Sequence, residues 1–312
     1  MLKYIIKRIL TLVPVLIGVA FLIFTIMDLT PGDPAILILG EAATPEAIHQ
    51  LREELGLNYN FFVRFALYIL DAVRLDFGLS YRTRLPVIEE IFARFPNTVN
   101  LAFWGMTIAV FIGLPIGIIS AIKQYTLVDG LSLAAALILT SIPAFWLGLL
   151  LMLQFSLRWN LFPAIGVDSW RNFVLPAVTL AVGTMAILIR MTRGTMLEVI
   201  RQDYVRTAKM KGASTGRIIF KHSLRNALLP IITIIGIYFG GMLGGAMIVE
   251  TVFAMPGIGT LMITSVRMQD TPVVMAAVLF IAIIIGVINL LVDILYVFID
   301  PRIKSQYTRA KR

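Results

Sequence analysis

The chain has 312 residues, 59% of them hydrophobic and only 14% charged, with a net charge of +9, no cysteine and two histidines, His49 and His222. A water-soluble globule cannot hide that much apolar surface, and a disordered chain would be far more polar. A disulfide scaffold, a Cys-ligated metal site and a His-rich centre all lack their ligands. What remains is an integral membrane protein, in which a basic excess reports topology rather than nucleic-acid binding.

An apolar run of about 20 residues crosses about 30 Å of hydrocarbon as a helix. Six runs qualify in chain order: Ile9–Leu29, Thr98–Ile122, Leu131–Leu157, Val174–Ile189, Ala227–Val249 and Pro272–Phe298. None alternates apolar with polar residues, so they are helices rather than barrel strands. The first follows Lys3, Lys7 and Arg8 but is too long for a signal peptide. Asp28-Leu29-Thr30-Pro31 stands where a small-residue cleavage site would lie, so the helix is expected to be retained. Pro115, Pro143 and Pro176 are placed to bend their spans.

The connection Thr30–Asn97 is too long for a turn and carries its own helix signals. Thr44-Pro45-Glu46 is a helix start, Ala47, Leu51 and Leu55 repeat at helical spacing, and Gly56 stops the run. A second run, Phe61 to Phe77, sets Phe61, Phe65, Tyr68, Ile69 and Ala72 on one face and ends at Gly78. A third, Pro86 to Phe95, ends before Pro96. These short amphipathic helices read equally as a docking surface or as a structural cap on the bundle.

The segment Arg190–Asn226 is the most informative. It holds nine basic residues against Glu198 and Asp203. Asp203 can cap a short helix and Gly212 can end it, with Tyr204, Val205 and Ala208 on one face and Arg206 and Lys209 turned away. Thr207 and Ala208 are small enough for another surface to approach. A two-turn helix does not hold alone in water, so it needs a lipid surface or a partner.

Small residues mark helix packing: Gly113-xxx-Gly117, Gly236-xxx-Gly240 and Gly241-xxx-Gly245. The fifth run, with Gly236, Gly240, Gly241, Gly244 and Gly245, suits a close helix contact or the wall of a passage. Eighteen of the 27 basic residues fall on one side: at the amino terminus, at Lys123, in Arg190–Arg225 and in the tail (Arg302, Lys304, Arg309, Lys311, Arg312). Six more lie in the long first connection, which counts little toward orientation. Both termini and the nine-charge segment are therefore expected to be cytoplasmic.

The chemistry of catalysis is missing. No span contains His or Cys, Ser132 and Ser141 have no nearby base, and there is no Gly-x-x-x-x-Gly-Lys phosphate loop. Asp28, Glu250, Asp293 and Arg190 lie near span ends rather than at a midplane, and Gln154 is an amide suited to a packing hydrogen bond. The residues describe a six-helix bundle without its own energy source, with a cytoplasmic peg and a structured external loop. Such a bundle is expected to be a subunit of a machine driven from elsewhere. A passive channel or scaffold and an intramembrane enzyme are the readings from other classes.

Four stretches carry a resemblance over the whole chain. They are Pro31-Gly32-Asp33-Pro34; Leu55-Gly56-Leu57 with Asp76-Phe77-Gly78-Leu79-Ser80; Asp203 to Gly212 leading into His222-Ser223-Leu224-Arg225-Asn226-Ala227-Leu228-Leu229-Pro230; and Pro256-Gly257-Ile258-Gly259 with Asn289 to Asp293 and Asp300-Pro301-Arg302. In these the chain resembles a permease subunit of a binding-protein-dependent ABC importer of the dipeptide/oligopeptide/nickel group. The resemblance implies that Asp203, Tyr204, Val205, Arg206, Thr207, Ala208, Lys209, Lys211 and Gly212 form a coupling helix that meets an ATPase. The general importer pattern has Glu-Ala-Ala, three residues, Gly, nine residues, then Ile-x-Leu-Pro. Ala208 and Gly212 fit it, but Arg206 and Thr207 stand where Glu and Ala would, and His222 to Arg225 replaces the closing element. That departure points to the peptide-type group.

The expected fold is thus an all-α membrane protein of six transmembrane helices, both termini cytoplasmic, with a long partly helical external loop. Residues 1–97 form the first helix and the external loop, 98–298 the five-helix core containing the coupling segment 190–226, and 299–312 a basic tail. The resemblance implies no cofactor on this chain, with ATP and Mg on partner ATPases. It further implies a second homologous permease, two ATPase subunits, an extracytoplasmic solute-binding protein and membrane lipid as partners, no nucleic acid, and a place in a bacterial or archaeal cytoplasmic membrane. The cargo it implies is di- or oligopeptides, with glutathione or a nickel chelate as alternatives.

Overall fold

The computed structural model describes residues 2–40 and 42–299. In chain order its helices are α1 (Leu2–Leu29), α2 (Pro34–Leu39), α3 (Pro45–Glu54), α4 (Phe61–Val73), α5 (Val87–Ile122), α6 (Leu127–Ser141), α7 (Ala144–Leu151), α8 (Trp170–Ile200), α9 (Asp203–Met210), α10 (Thr215–Arg217), α11 (Arg225–Val252), α12 (Ile258–Arg267) and α13 (Thr271–Ile299). Wider π turns extend α7 through Met152–Arg158 and join α10 to α11 through Ile218–Leu224. Among the described residues there is no β-strand, only a lone bridge between Leu79 and Pro86. Helices suit a bilayer because they satisfy their own backbone.

Among the described residues, five helices are long and apolar enough to cross a membrane, and a sixth crossing is present if one bent pair counts as a span. That pair corrects the expected third span, Leu131–Leu157. It is broken at Ser141-Ile142-Pro143, where α6 and α7 meet at 97°. Pro143 lacks an N–H and pushes Ile142 into extended backbone (φ −83°, ψ 121°), so α6 stops there.

Helices also run further than the apolar runs suggest. Instead of stopping before Pro96, the helix expected over Pro86–Phe95 is the start of α5, which passes straight through that proline. The lost bond to the Phe92 carbonyl is tolerated because neighbours pin the next turn. Asn97 Nδ2 donates to the Pro256 carbonyl (2.9 Å), and the Ile258 N–H donates to Thr98 Oγ1 (2.9 Å). Most of Arg190–Asn226 is likewise helical, since α8 continues to Ile200 and helix resumes at Thr215. In the connection Thr30–Asn97, α3 starts at the Thr44 cap as expected and α2 is additional, as is α12 between α11 and α13. Instead of running to Gly78, α4 ends at Val73, because Leu75 takes a left-handed conformation (φ 61°).

The chain divides into two compact units. The first comprises Met1–Thr98 and Pro256–Gly286. Its core gathers Val87, Ile91, Ile258, Leu261, Val273, Ala276 and Ala277. The aromatic face of α4 meets α1 here: Phe61 and Phe65 pack edge-on against Phe21 and Phe24 at 5.3–5.9 Å. The second comprises Val99–Met255 and Val287–Arg312. In it α6, α7 and α11 pack on α8, around Leu101, Phe173, Ala246, Val249 and Phe253. The basic tail from Asp300, including Arg302, Lys304, Arg309, Lys311 and Arg312, lies outside the described residues.

Candidate functional site

The peg is a real local structure. Helix α9 ends in a paired cap: the Gly212 N–H donates to the Lys209 carbonyl (3.0 Å) and the Ala213 N–H to the Ala208 carbonyl (3.1 Å). This closing turn needs a left-handed residue, and Gly212 supplies it at φ 78°. At the other end Gln202, not Asp203, is the N-cap residue, and it makes no side-chain cap bond. Asp203 is instead the first helical residue, where its charge suits the positive end of the helix.

One face of α9 is spoken for. Val205 is buried (5% exposed) and Ala208 is half-buried, packed toward the Ile218–Leu224 turns. The Tyr204 hydroxyl, on an exposed side chain, accepts from Asn226 Nδ2 (2.9 Å). The small Ala208 therefore serves this chain's own packing. The opposite face carries Asp203, Arg206, Thr207 and Met210, all exposed, with Lys209 and the trailing Lys211 and Gly212 also in the open. Met210 is the residue that sequence reasoning passed over. It is 82% exposed, among the most exposed large hydrophobic side chains described. An apolar residue amid a basic face was the signal available in the sequence.

The Ile218–Leu224 turns on which α9 packs join, through Ile219 and Leu224, an apolar block of Ala121, Met196, Ala227 and Ile231. Beside it lies a polar cluster that no spacing in the sequence discloses. Asp129, buried at the start of α6, receives Arg193 of α8 in a two-pronged pair, together with the Ser120 hydroxyl.

The glycines of α11 separate by role. A Cβ on Gly236 would overlap the Val292 side chain, so that position is a packing contact, and Gly240 is buried. Gly241 is open, with nothing near its would-be Cβ, Gly244 is half-buried, and Gly245 lies in the same helix. Gly113 and Gly117 are packing glycines too. A Cβ on Gly117 would stand 2.7 Å from Thr192 Cβ and 2.8 Å from the Ile189 carbonyl oxygen. Gly241 borders a cavity of about 400 Å³ within unit two, walled by α6, α7, α8 and α11. Thr140, Ile142, Thr179, Thr184 and Tyr238 also line it, and its lining holds no carboxylate, imidazole, ammonium or guanidinium group. The break between α6 and α7 borders this space through Thr140, Ile142 and Ala144.

The loops and short helices of unit one are tied together by their own polar groups. The buried Asp270 accepts from Ser80 Oγ (2.5 Å) and the Tyr81 N–H (3.0 Å). Asp33 caps α2 through the Ala35 N–H (3.0 Å) and pairs with Arg52. Arg52 is the main cause holding the Asp33 carboxyl below its usual range. Burial pushes the Tyr81 hydroxyl up to about 12, with the Asp270 charge adding to it.

Comparison with known proteins agrees over nearly the whole length. The family described as "Binding-protein-dependent transport system inner membrane component" matches residues 113–305, and its N-terminal companion matches residues 1–102. The chain is 41% identical, over 97% of its length and all of the relative's, to the dipeptide transport system permease protein DppB of Alkalihalophilus pseudofirmus. It is 43% identical, over 97% of its length and 99% of the relative's, to the glutathione transport system permease protein GsiC of Escherichia coli strain K12. In fold it is similar to an inward-facing MetNI methionine ABC transporter, with a TM-score of 0.59 at 20% identity over 68% of this chain and 96% of that one. An amino acid ABC transporter with histidines gives 0.52 at 15% identity over 67% and 94%.

Proposed function

The chain belongs to the family of binding-protein-dependent transport system inner membrane components, and on that premise we propose that α9 receives an ATPase while the bundle passes a peptide-class solute inward. It is a multi-pass inner-membrane permease of an ATP-driven importer. The single observation that carries the α9 assignment is its outward face: Arg206 and Met210 are fully available on a helix whose other face is already packed. A basic and apolar pair on a capped peg fits a groove with an acidic rim and an apolar floor.

In this reading a second homologous permease pairs with this one, two ATPase subunits bind the cytoplasmic side, and a solute-binding protein docks outside. The ATPases hold ATP and Mg. Closure of the ATPases pushes the two α9 pegs together, and that rigid-body motion opens the bundle to the loaded binding protein. The basic-residue distribution supports cytoplasmic termini and a cytoplasmic α9. Residues 1–97 then supply the first helix and the external cap, 98–298 the core with its coupling segment 190–226, and 299–312 a basic cytoplasmic tail. The membrane is bacterial or archaeal.

Di- or oligopeptides are the favoured cargo, and glutathione, itself a tripeptide, is the second reading. The names of the two relatives support both. Family membership favours an importer over a passive channel or scaffold. Affinity purification from native membranes with mass spectrometry tests the assembly. A second six-span permease and ATPase subunits are the expected companions, and ligand analysis of the binding protein then gives the cargo. A lone chain or homo-oligomer, stable in mild detergent without an ATPase, would refute the role of α9.

A further inference from the structure

Asp129 is 4% exposed and sits in the first turn of α6. Four donors fill its two oxygens: Arg193 Nε (2.6 Å), Arg193 Nη2 (2.8 Å), Ser120 Oγ (2.6 Å) and the Tyr125 N–H (3.0 Å). The end of α5, the turn after it, the start of α6 and the last third of α8 therefore meet at one carboxylate. A second tie lies alongside, from Arg201 Nη2 to Gln124 Oε1 (3.4 Å). Arg201 closes α8, and α9 begins two residues later.

A buried ion pair is no stronger a glue than a well-packed apolar pair of the same volume. What a planar fork adds is a fixed rotation and register between the helices it joins. Register matters here because of what lies at the two ends of α6. One end is clasped to α8 at Arg193, eight residues before the Arg201 that closes α8 ahead of α9. The other end is the Ser141-Ile142-Pro143 break, where Leu139, Thr140 and Ile142 wall the cavity. We infer that Asp129 and Arg193 are positioning residues of the transport cycle: the clasp carries displacement of α9, passed to α8 through the chain at Arg201 and the Ile218–Leu224 turns that pack on both helices, into α6 and so to the wall of the cavity. The inference rests on the proposed contact between α9 and the ATPase.

The test uses the whole complex, with partner permease, ATPases and binding protein, in lipid vesicles. The readout is solute taken up per ATP hydrolysed. Asp129→Asn and Arg193→Lys are expected to bind the ATPases yet lower that ratio about tenfold, a usual size for coupling between sites. The exchange Asp129→Arg with Arg193→Asp is expected to recover part of it. A merely structural clasp would lower yield or thermal stability while the assembled complexes kept the wild-type ratio, and that result overturns the inference. If Asp129→Asn does not assemble, Arg193→Lys and Ser120→Ala, which keep the charges, decide the matter. An unchanged ratio in both overturns the inference. A wild-type chain that recruits no ATPase refutes the reading of α9 as well, whereas a normally coupled wild type with normally coupled clasp variants refutes the clasp alone.

Discussion

The cap of unit one, built from residues 30–98 and 256–270, and the α9 loop follow opposite rules. In the cap, polar side chains are consumed internally: Asp270 by Ser80 and Tyr81, Asp33 by Arg52 and the α2 backbone, Asn97 and Thr98 by the backbone at 256 and 258. In the α9 loop, a buried valine, a backbone cap and the Tyr204–Asn226 bond do the holding, and the outward side chains are left available. A surface that must stand alone satisfies its own donors and acceptors, because buried unpaired groups are costly. A surface waiting for a partner keeps its charges in water until the partner arrives. The comparison also bears on the two readings of Thr30–Asn97, since its polar groups are employed in structural capping.

The contrast can be broken most forcefully at Asp270. Asp270→Ala orphans the Ser80 hydroxyl and the Tyr81 N–H and is expected to cost about 3 kcal/mol. Thermal unfolding of the purified protein in detergent would show it, and an unshifted midpoint would mean that the cap is not held this way. A finer comparison uses one backbone motif found in both regions. Gly56 and Gly212 each end a helix in left-handed conformation, at φ 65° and 78°. Valine at either position costs roughly 1–2 kcal/mol of local strain, readable by hydrogen exchange. Only Gly212→Val is expected to lower uptake, by about tenfold, so equal losses at both sites would erase the distinction.

Changing the free face should leave stability within about 0.5 kcal/mol. Arg206→Glu combined with Met210→Asp is expected to abolish copurification of the ATPase while the melting curve stays in place. Retained ATPase would remove α9 from the contact. The smallest effect is a pH dependence confined to the cap. Arg52, followed by the Ala35 and Ile36 N–H groups, lowers the folded-state pKa of Asp33. A depressed carboxylate contributes stability that is complete above its unfolded pKa and fades as pH falls below about 4. Arg52 is 45% exposed, so solvent weakens the pair. Asp33→Asn should remove this acid sensitivity without altering stability's pH profile near neutrality.

The sequence by itself determined the membrane-spanning character, five of the spans, the α3 start at Thr44-Pro45, the aromatic face of α4, and a short helix ending at Gly212. These are local properties: apolar length, helical period, caps and a glycine at a left-handed position. Only the tertiary structure decided the rest. Helix α5 passes through Pro96 because Asn97 and Thr98 are pinned by the backbone near residue 257, far away in sequence. The third span broke at Pro143, which sequence reading had placed as a bend but not as a stop. Gly236 and Gly241 look alike in sequence, yet one meets Val292 and the other borders a cavity. Asp129 and Arg193, in separate helices, stand in no recognisable spacing, and their pairing exists only because α6 packs on α8. Local pattern sets which segments are helices, whereas which side chains meet is settled by packing between segments distant in the chain.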